Sequence, residues 1–386
     1  MVSVSAGATR EPRLTKSMYR SLQAGRAAAA LLVCIYHALG CITNAKYFNL
    51  PWAAAPFSWG MLAVEYFFVL SGFILFTVHQ ADLFKPSRFV PYALKRLIRI
   101  YPTYILIFLG VLIPALLIPS LRSTVPNDPL TLLSRLVLYP QNLQTFPTDG
   151  TPFNVIAVSW SLEYEVFFYT LFGLMLLGRT GAIFLGLLLA WAFGSKLLGL
   201  PLPRFGTFLA GPNTLTFIVG MAAAAIHRSG FRVPKPGWVT LVSLVLIFVL
   251  HGDHARPIWP NDMVRAIGTS LCSGFLVLGL IAGEERGMPS GRHPWIQRLG
   301  DASYALYLIH FPLISVLTKI AFAAGLPRLG IAGAAATLIV EVAVCIAVSV
   351  AFHLWLEKPI IAFLRRKTLS RTEPNEPART RPTGAA

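Results

Sequence analysis

Apolar residues gather into long runs broken by short polar stretches, at about 22–40, 57–78, 101–121, 157–177, 180–200, 208–226, 236–251, 264–282, 301–323 and 331–355. A hydrocarbon core about 30 Å thick is crossed by about 20 helical residues at 1.5 Å per residue, so these runs are of spanning length. The pattern predicts an all-α protein, a polytopic transmembrane helix bundle of about ten spans. The seventh run is short, and Lys196 and Pro212 blur the ends of the fifth and sixth. No solenoid-type repeat is present. The expected organisation is a polar N-terminal tail over 1–20, a membrane domain over 21–360 and a Pro-, Thr- and Arg-rich disordered tail over 361–386.

Two stretches fall outside this alternation. Residues 88–99 (RFVPYALKRLIR) alternate apolar and basic positions and read as a helix lying at the cytoplasmic interface. The loop over 122–155 carries Pro, Asn and Asp turn signals around one short apolar stretch at 130–139, which suits a lid or an acceptor platform.

Composition fits a membrane protein: 55% of the 386 residues are hydrophobic and 13% charged, against about 25% charged in soluble domains. The net charge of +17 does not point to nucleic acid, because the basic residues lie between apolar runs and not on one soluble face. They are unevenly shared between alternate loops. With the N-terminus inside, the outer loops hold only Lys46, Arg122, Arg135, Arg204, Arg256, Arg265 and Arg328 of the 33, which places both termini in the cytoplasm. The first twenty residues lack an apolar core and are not expected to be a cleaved signal peptide. Cys34, Cys272 and Cys345 lie in apolar runs and Cys41 at the edge of one, without metal spacing, so they read as core residues. His251 and His254 lack a third ligand, and no metal site is expected.

Ionisable residues inside membrane spans are costly and mark function. Here they are Arg26, His37, Glu65, Glu163, Glu165, Asp301, His310 and Glu341. Counted from the span ends at 1.5 Å per residue, His37, Glu65, Glu165 and His310 lie about 14 to 18 Å deep, so four helices bring one group each to mid-membrane. Arg26 and His37, eleven residues apart, project from one helix face, three turns apart. A snorkelling arginine and a core histidine bonded to a neighbouring carbonyl fit the same spacing. Ser71-Gly72 suits a close helix contact. Trp160 suits an interfacial anchor, with Ser161 beside it. Arg96 and Arg99 share a face at i, i+3 and suit phosphate or anionic headgroups. Asp301 is placed to cap the ninth span, which reaches His310 and Pro312.

Six stretches in order, SLQAGRAAAALLVCIYH, VEYFFVLSGF, RLIRIYPTY, WSLEYE, LGDASYALYLIHFP and WLEKP, resemble the acyltransferase-3 family of membrane O-acyltransferases, within it the bacterial exopolysaccharide-modifying branch. The resemblance runs from about residue 20 to residue 360. It implies a multi-pass protein of the bacterial inner membrane that transfers an acyl group from cytoplasmic acyl-CoA, acetyl-CoA above all, as a co-substrate to a sugar hydroxyl of an exopolysaccharide, glycan or glycolipid. No permanently bound cofactor is implied. Arg26 and His37 match the family's essential pair, and Arg96 and Arg99 its RxxR. Glu65 stands where Asp is commoner, and Glu163 is an added acid.

These readings combine into one expectation. His37 serves as general base or as a covalent acyl carrier, Glu65 or Glu165 holds its tautomer, Arg26, Arg96 and Arg99 bind CoA phosphates, and Trp160, Ser161 and His310 shape the acceptor side. A proton-coupled transporter is the rival reading, although no paired broken helices occur in two halves. A polyprenyl-phosphate glycosyltransferase would want acids in the first outer loop, and residues 41–56 have none.

Overall fold

The computed structural model describes residues 19–54, 60, 62–140, 154–251, 262–288 and 291–369. Its main helices are α1 (Arg20–Ile42), α2 (Leu62–His79), α3 (Phe89–Leu117), α4 (Pro129–Leu136), α5 (Trp160–Leu176), α6 (Arg179–Leu197), α7 (Pro212–Arg228), α8 (Pro236–His251), α9 (Asp262–Glu285), α10 (Ser303–Ala323), α11 (Gly330–Phe352) and α12 (Lys358–Leu369). No strand occurs among the described residues. In lipid every backbone polar group needs an internal partner, which helices supply within one segment. The helices also turn apolar side chains outward: Leu187, Leu197, Phe248 and Ile339 are among many large exposed ones. This is the surface of a multi-pass membrane protein.

Each of the ten apolar runs contains a helix, but among the described residues only seven helices are long and apolar enough to cross a membrane, those of α1, α2, α3, α6, α9, α10 and α11. Helices α5 and α7 have 17 residues each and α8 has 16, so each is about 25 Å long or slightly less, short of a 30 Å core. Of the ten expected spans, seven coincide with helices of full spanning length among the described residues, and the other three with the shorter helices α5, α7 and α8.

Close backbone approach sets the helix pairings. Helix α2 lies along α7, where a Cβ on Gly72 would come 2.2 Å from the Phe217 carbonyl oxygen and one on Gly220 2.0 Å from that of Val69. The small-residue seam expected at Gly72 is thus a real contact. Helix α1 packs on α2, α10 and α11, and α8 lies against α9.

Three expectations are corrected. The basic stretch before residue 100 is not a separate interfacial helix, because α3 runs unbroken from Phe89, with Pro91 in its first turn and Pro102 and Pro114 inside. It stays helical because its basic face turns inward, where Arg96 meets His79. Asp301 does not cap α10; it ends a short helix, Pro294–Asp301, and accepts a 2.5 Å hydrogen bond from Gln23 Nε2. Residues 361–369, assigned to a disordered tail, continue α12, which packs on α3. The rest of that tail, residues 1–18, His254 and positions 141–153 of the outer loop lie outside the described residues.

Candidate active site

Helix α1 presents Arg26 and His37 three turns apart, and different neighbours meet each. His37 Nδ1 lies 3.0 Å from the Val33 carbonyl oxygen and 3.1 Å from His310 Nε2. His310 Nδ1 in turn lies 3.0 Å from the Leu306 carbonyl oxygen. Carbonyl oxygens only accept, so in two neutral rings both Nδ1 atoms carry the proton. His310 Nε2 then accepts from His37 Nδ1–H, and His37 Nε2 keeps its lone pair with no partner among the described residues. His310 is wholly buried at 0% exposure, whereas His37 is half-buried, with Tyr36 and Phe311 edge-on at 4.9 and 5.3 Å between ring centroids. The pair is a half-buried imidazole, one nitrogen of which has no partner among the described residues, held by a buried ring.

A cavity of about 260 Å³ has a lining that includes Arg26, Arg96, Arg99, Ser161, Glu165 and Tyr307, but neither His37 nor His310. Arg26 donates to Gln23 Oε1 at 3.1 Å, and Asp301, Glu165 and Glu357 lie within its electrostatic reach. Arg99 sits over the Tyr304 ring at 6.0 Å. Glu165 accepts from Ser71 Oγ at 3.2 Å and from the Tyr169 hydroxyl in a short hydrogen bond. Ser161 Oγ and the Tyr307 hydroxyl are 2.7 Å apart, and the Tyr307 ring lies 5.9 Å from that of His310. Tyr307 therefore joins the cavity to the histidine pair.

Five predicted residues, Arg26, Arg96, Arg99, Ser161 and Glu165, meet at one cavity; His37 and His310 touch each other but do not line it, and are linked to it through Tyr307. Two do not join them. Glu65 faces α9 and accepts from Thr269 Oγ1. Trp160 is half-buried against Phe68 and Tyr164 and does not line the cavity. The expected tautomer holders are corrected: no hydrogen bond of His37 goes to Glu65 or Glu165, because its neighbour across the helix contact is another imidazole. Glu163 pairs with Arg135 at 3.0 Å, and Glu341 accepts from Thr318 Oγ1 at 2.6 Å, away from the cavity.

A family model described as an acyltransferase domain matches residues 19–355. The chain belongs to the acyltransferase-3 family. It is 28% identical over 314 residues to the exopolysaccharide production protein ExoZ of Rhizobium meliloti (strain 1021), covering 79% of this chain and 90% of that protein. It is likewise 28% identical over 342 residues to the acyltransferase MdmB of Streptomyces mycarofaciens, covering 82% and 84%. No solved structure matches it. This is a membrane acyltransferase.

Sequence reasoning about the acyltransferase missed Ser71, Tyr169, Tyr307 and Glu357 as site neighbours. Two carried a usable signal: Tyr169 follows Glu165 by four residues and Tyr307 precedes His310 by three, so each pair shares a helix face. Glu357 closes a π-helical turn, His353–Glu357, and bonds His353 Nδ1 at 2.7 Å. Such turns are common at functional sites and have no periodic mark in sequence. Arg365 on α12 adds a fourth guanidinium within electrostatic reach of Arg96 and Arg99.

Proposed function

We propose that the protein transfers an acyl group, acetyl in the first instance, from cytoplasmic acyl-CoA to a sugar hydroxyl of an exopolysaccharide, glycan or glycolipid. The observation that carries this reading is the Nε2 of His37, which has no hydrogen-bond partner among the described residues. That nitrogen takes the acceptor hydroxyl's proton as the oxygen attacks the thioester carbonyl carbon. The carbon–sulfur bond then breaks, and the CoA thiolate leaves and takes up the proton. His310 holds the imidazole, while Arg26, Arg96 and Arg99 bind the phosphates of CoA. The exopolysaccharide acceptor is supported by the name of the Rhizobium relative. The decisive test offers radiolabelled acetyl-CoA and candidate glycans to the purified protein. Label should move to a glycan hydroxyl, and a protein that never labels any glycan or glycolipid acceptor would refute the reading.

The donor assignment has its own test. Arg96→Ala with Arg99→Ala should weaken acetyl-CoA binding by well over tenfold while membrane insertion is kept, since a hydrogen bond to a charged group contributes about 1.5 to 3 kcal/mol. Unchanged affinity in the double variant would remove the arginines from the donor site.

The orientation belongs to the same proposal, because acyl-CoA must enter from the cytoplasm. Cysteines placed in the 122–155 loop should label from outside, and cysteines at 85–90 or 228–235 only after permeabilisation, as the loop distribution of Lys and Arg requires. External labelling at residue 232 would invert the topology.

A further inference from the structure

We propose that His79 and Asp82 form a relay that aims Arg96 into the cavity, making His79 a positioning residue for the acyl donor; this rests on the donor role of Arg96 given above. His79 ends α2 and is 2% exposed. Its Nε2 lies 2.9 Å from Arg96 Nη2, and its Nδ1 lies 3.0 Å from Asp82 Oδ2. A guanidinium has donors only, so Nε2 is the unprotonated nitrogen and accepts from Arg96. The proton then sits on Nδ1 and is donated to the Asp82 carboxylate. Both ends of the ring are assigned by the chemistry of their partners, and a carboxylate orienting an imidazole in this way fixes which nitrogen faces the third group.

The surroundings hold this chain in one arrangement. Tyr92 meets the His79 ring edge-on at 5.0 Å between centroids and 89°, and its hydroxyl donates to the Tyr169 carbonyl oxygen at 2.7 Å. The Arg96 guanidinium lies 5.3 Å from the Tyr169 ring and 5.8 Å from that of Tyr92. Arg88 Nε stands 3.7 Å from the other Asp82 oxygen, on the exposed side of the relay. Arg96 is nevertheless poorly compensated. Among the described residues its only hydrogen-bond partner is the neutral His79 ring, and its buried Nε has none. A half-buried guanidinium that lines the cavity, with spare donors and no carboxylate hydrogen-bonded to it among the described residues, is a site prepared for an anion. The relay holds the side chain without neutralising it, which a direct Asp–Arg pair would do.

Steady-state kinetics with acetyl-CoA test the relay in the full-length protein. His79→Ala should raise the acetyl-CoA KM roughly tenfold with kcat within about twofold, the loss of one hydrogen bond to a charged group. His79→Gln, whose Oε1 can accept from Arg96, should restore most of it, and Asp82→Asn should give a smaller rise. In an Arg96→Ala background His79→Ala should add nothing, because the two act as a unit. Additive effects in that cycle, or a kcat loss with KM unchanged in protein of normal thermal stability, would overturn the relay. If Arg96→Ala alone leaves KM unchanged, the donor reading fails instead. The relay then still stands or falls on the ¹⁵N signals of His79, which should show Nδ1 protonated and Nε2 bare. A protonated Nε2 would end it.

Discussion

His37→Ala and His37→Gln should abolish acyl transfer in protein that expresses and folds normally. General-base help contributes about 10²- to 10⁴-fold, so a loss of at least that order is expected in kcat. Neither replacement offers a basic nitrogen where Nε2 stands free. His310→Ala should cost less, because His37 Nδ1–H keeps the Val33 carbonyl oxygen at 3.0 Å as a partner. What His310 adds is a second restraint on the ring from a wholly buried position. Transfer at a near wild-type rate in well-folded His37→Ala would sink the mechanism. A loss in His310→Ala equal to that in His37→Ala would exchange their roles.

The fold was legible where a single segment decides it. Each apolar run contains a helix, since run length and the need to satisfy the backbone in lipid act segment by segment. Single site residues were legible too: Arg26, chosen for its spacing from His37, and Glu165, chosen for its depth, do line one cavity with Arg96 and Arg99. Partners across helices were not. The rotation of one helix against its neighbour depends on contacts such as Gly72 on Phe217 and Gly220 on Val69, and period alone does not give it. This is why His37 met His310 where a carboxylate was expected, and why Glu65, at a suitable depth, turned toward Thr269. The basic stretch before residue 100 misled for a related reason. Alternating charge looks interfacial until a buried acceptor, here His79, supplies an inward partner.

The added acid of WSLEYE yields the largest expected effect on stability. Glu163 and Arg135 pair at 3.0 Å with side chains 1% and 3% exposed, so both charges are sealed from water. The pair fastens α4 to the first turn of α5, and α3 completes the attachment: Tyr104 donates to the Arg135 carbonyl oxygen at 2.7 Å and Tyr101 to that of Val137 at 2.8 Å. Removing one partner of a buried ion pair costs about 3–5 kcal/mol. Glu163→Ala and Arg135→Ala should each lower the thermal midpoint of the purified protein substantially. They should also lower transfer, because the turn that carries Glu163 carries Ser161 and leads into Glu165. Replacing both residues by leucine removes both buried charges and should give more stability than either single variant has, since buried pairs exchanged for apolar groups are often neutral or better. Singles as stable as the parent protein would show the pair to be incidental. A double variant worse than either single would show that the ion pair itself sets how α4 is held.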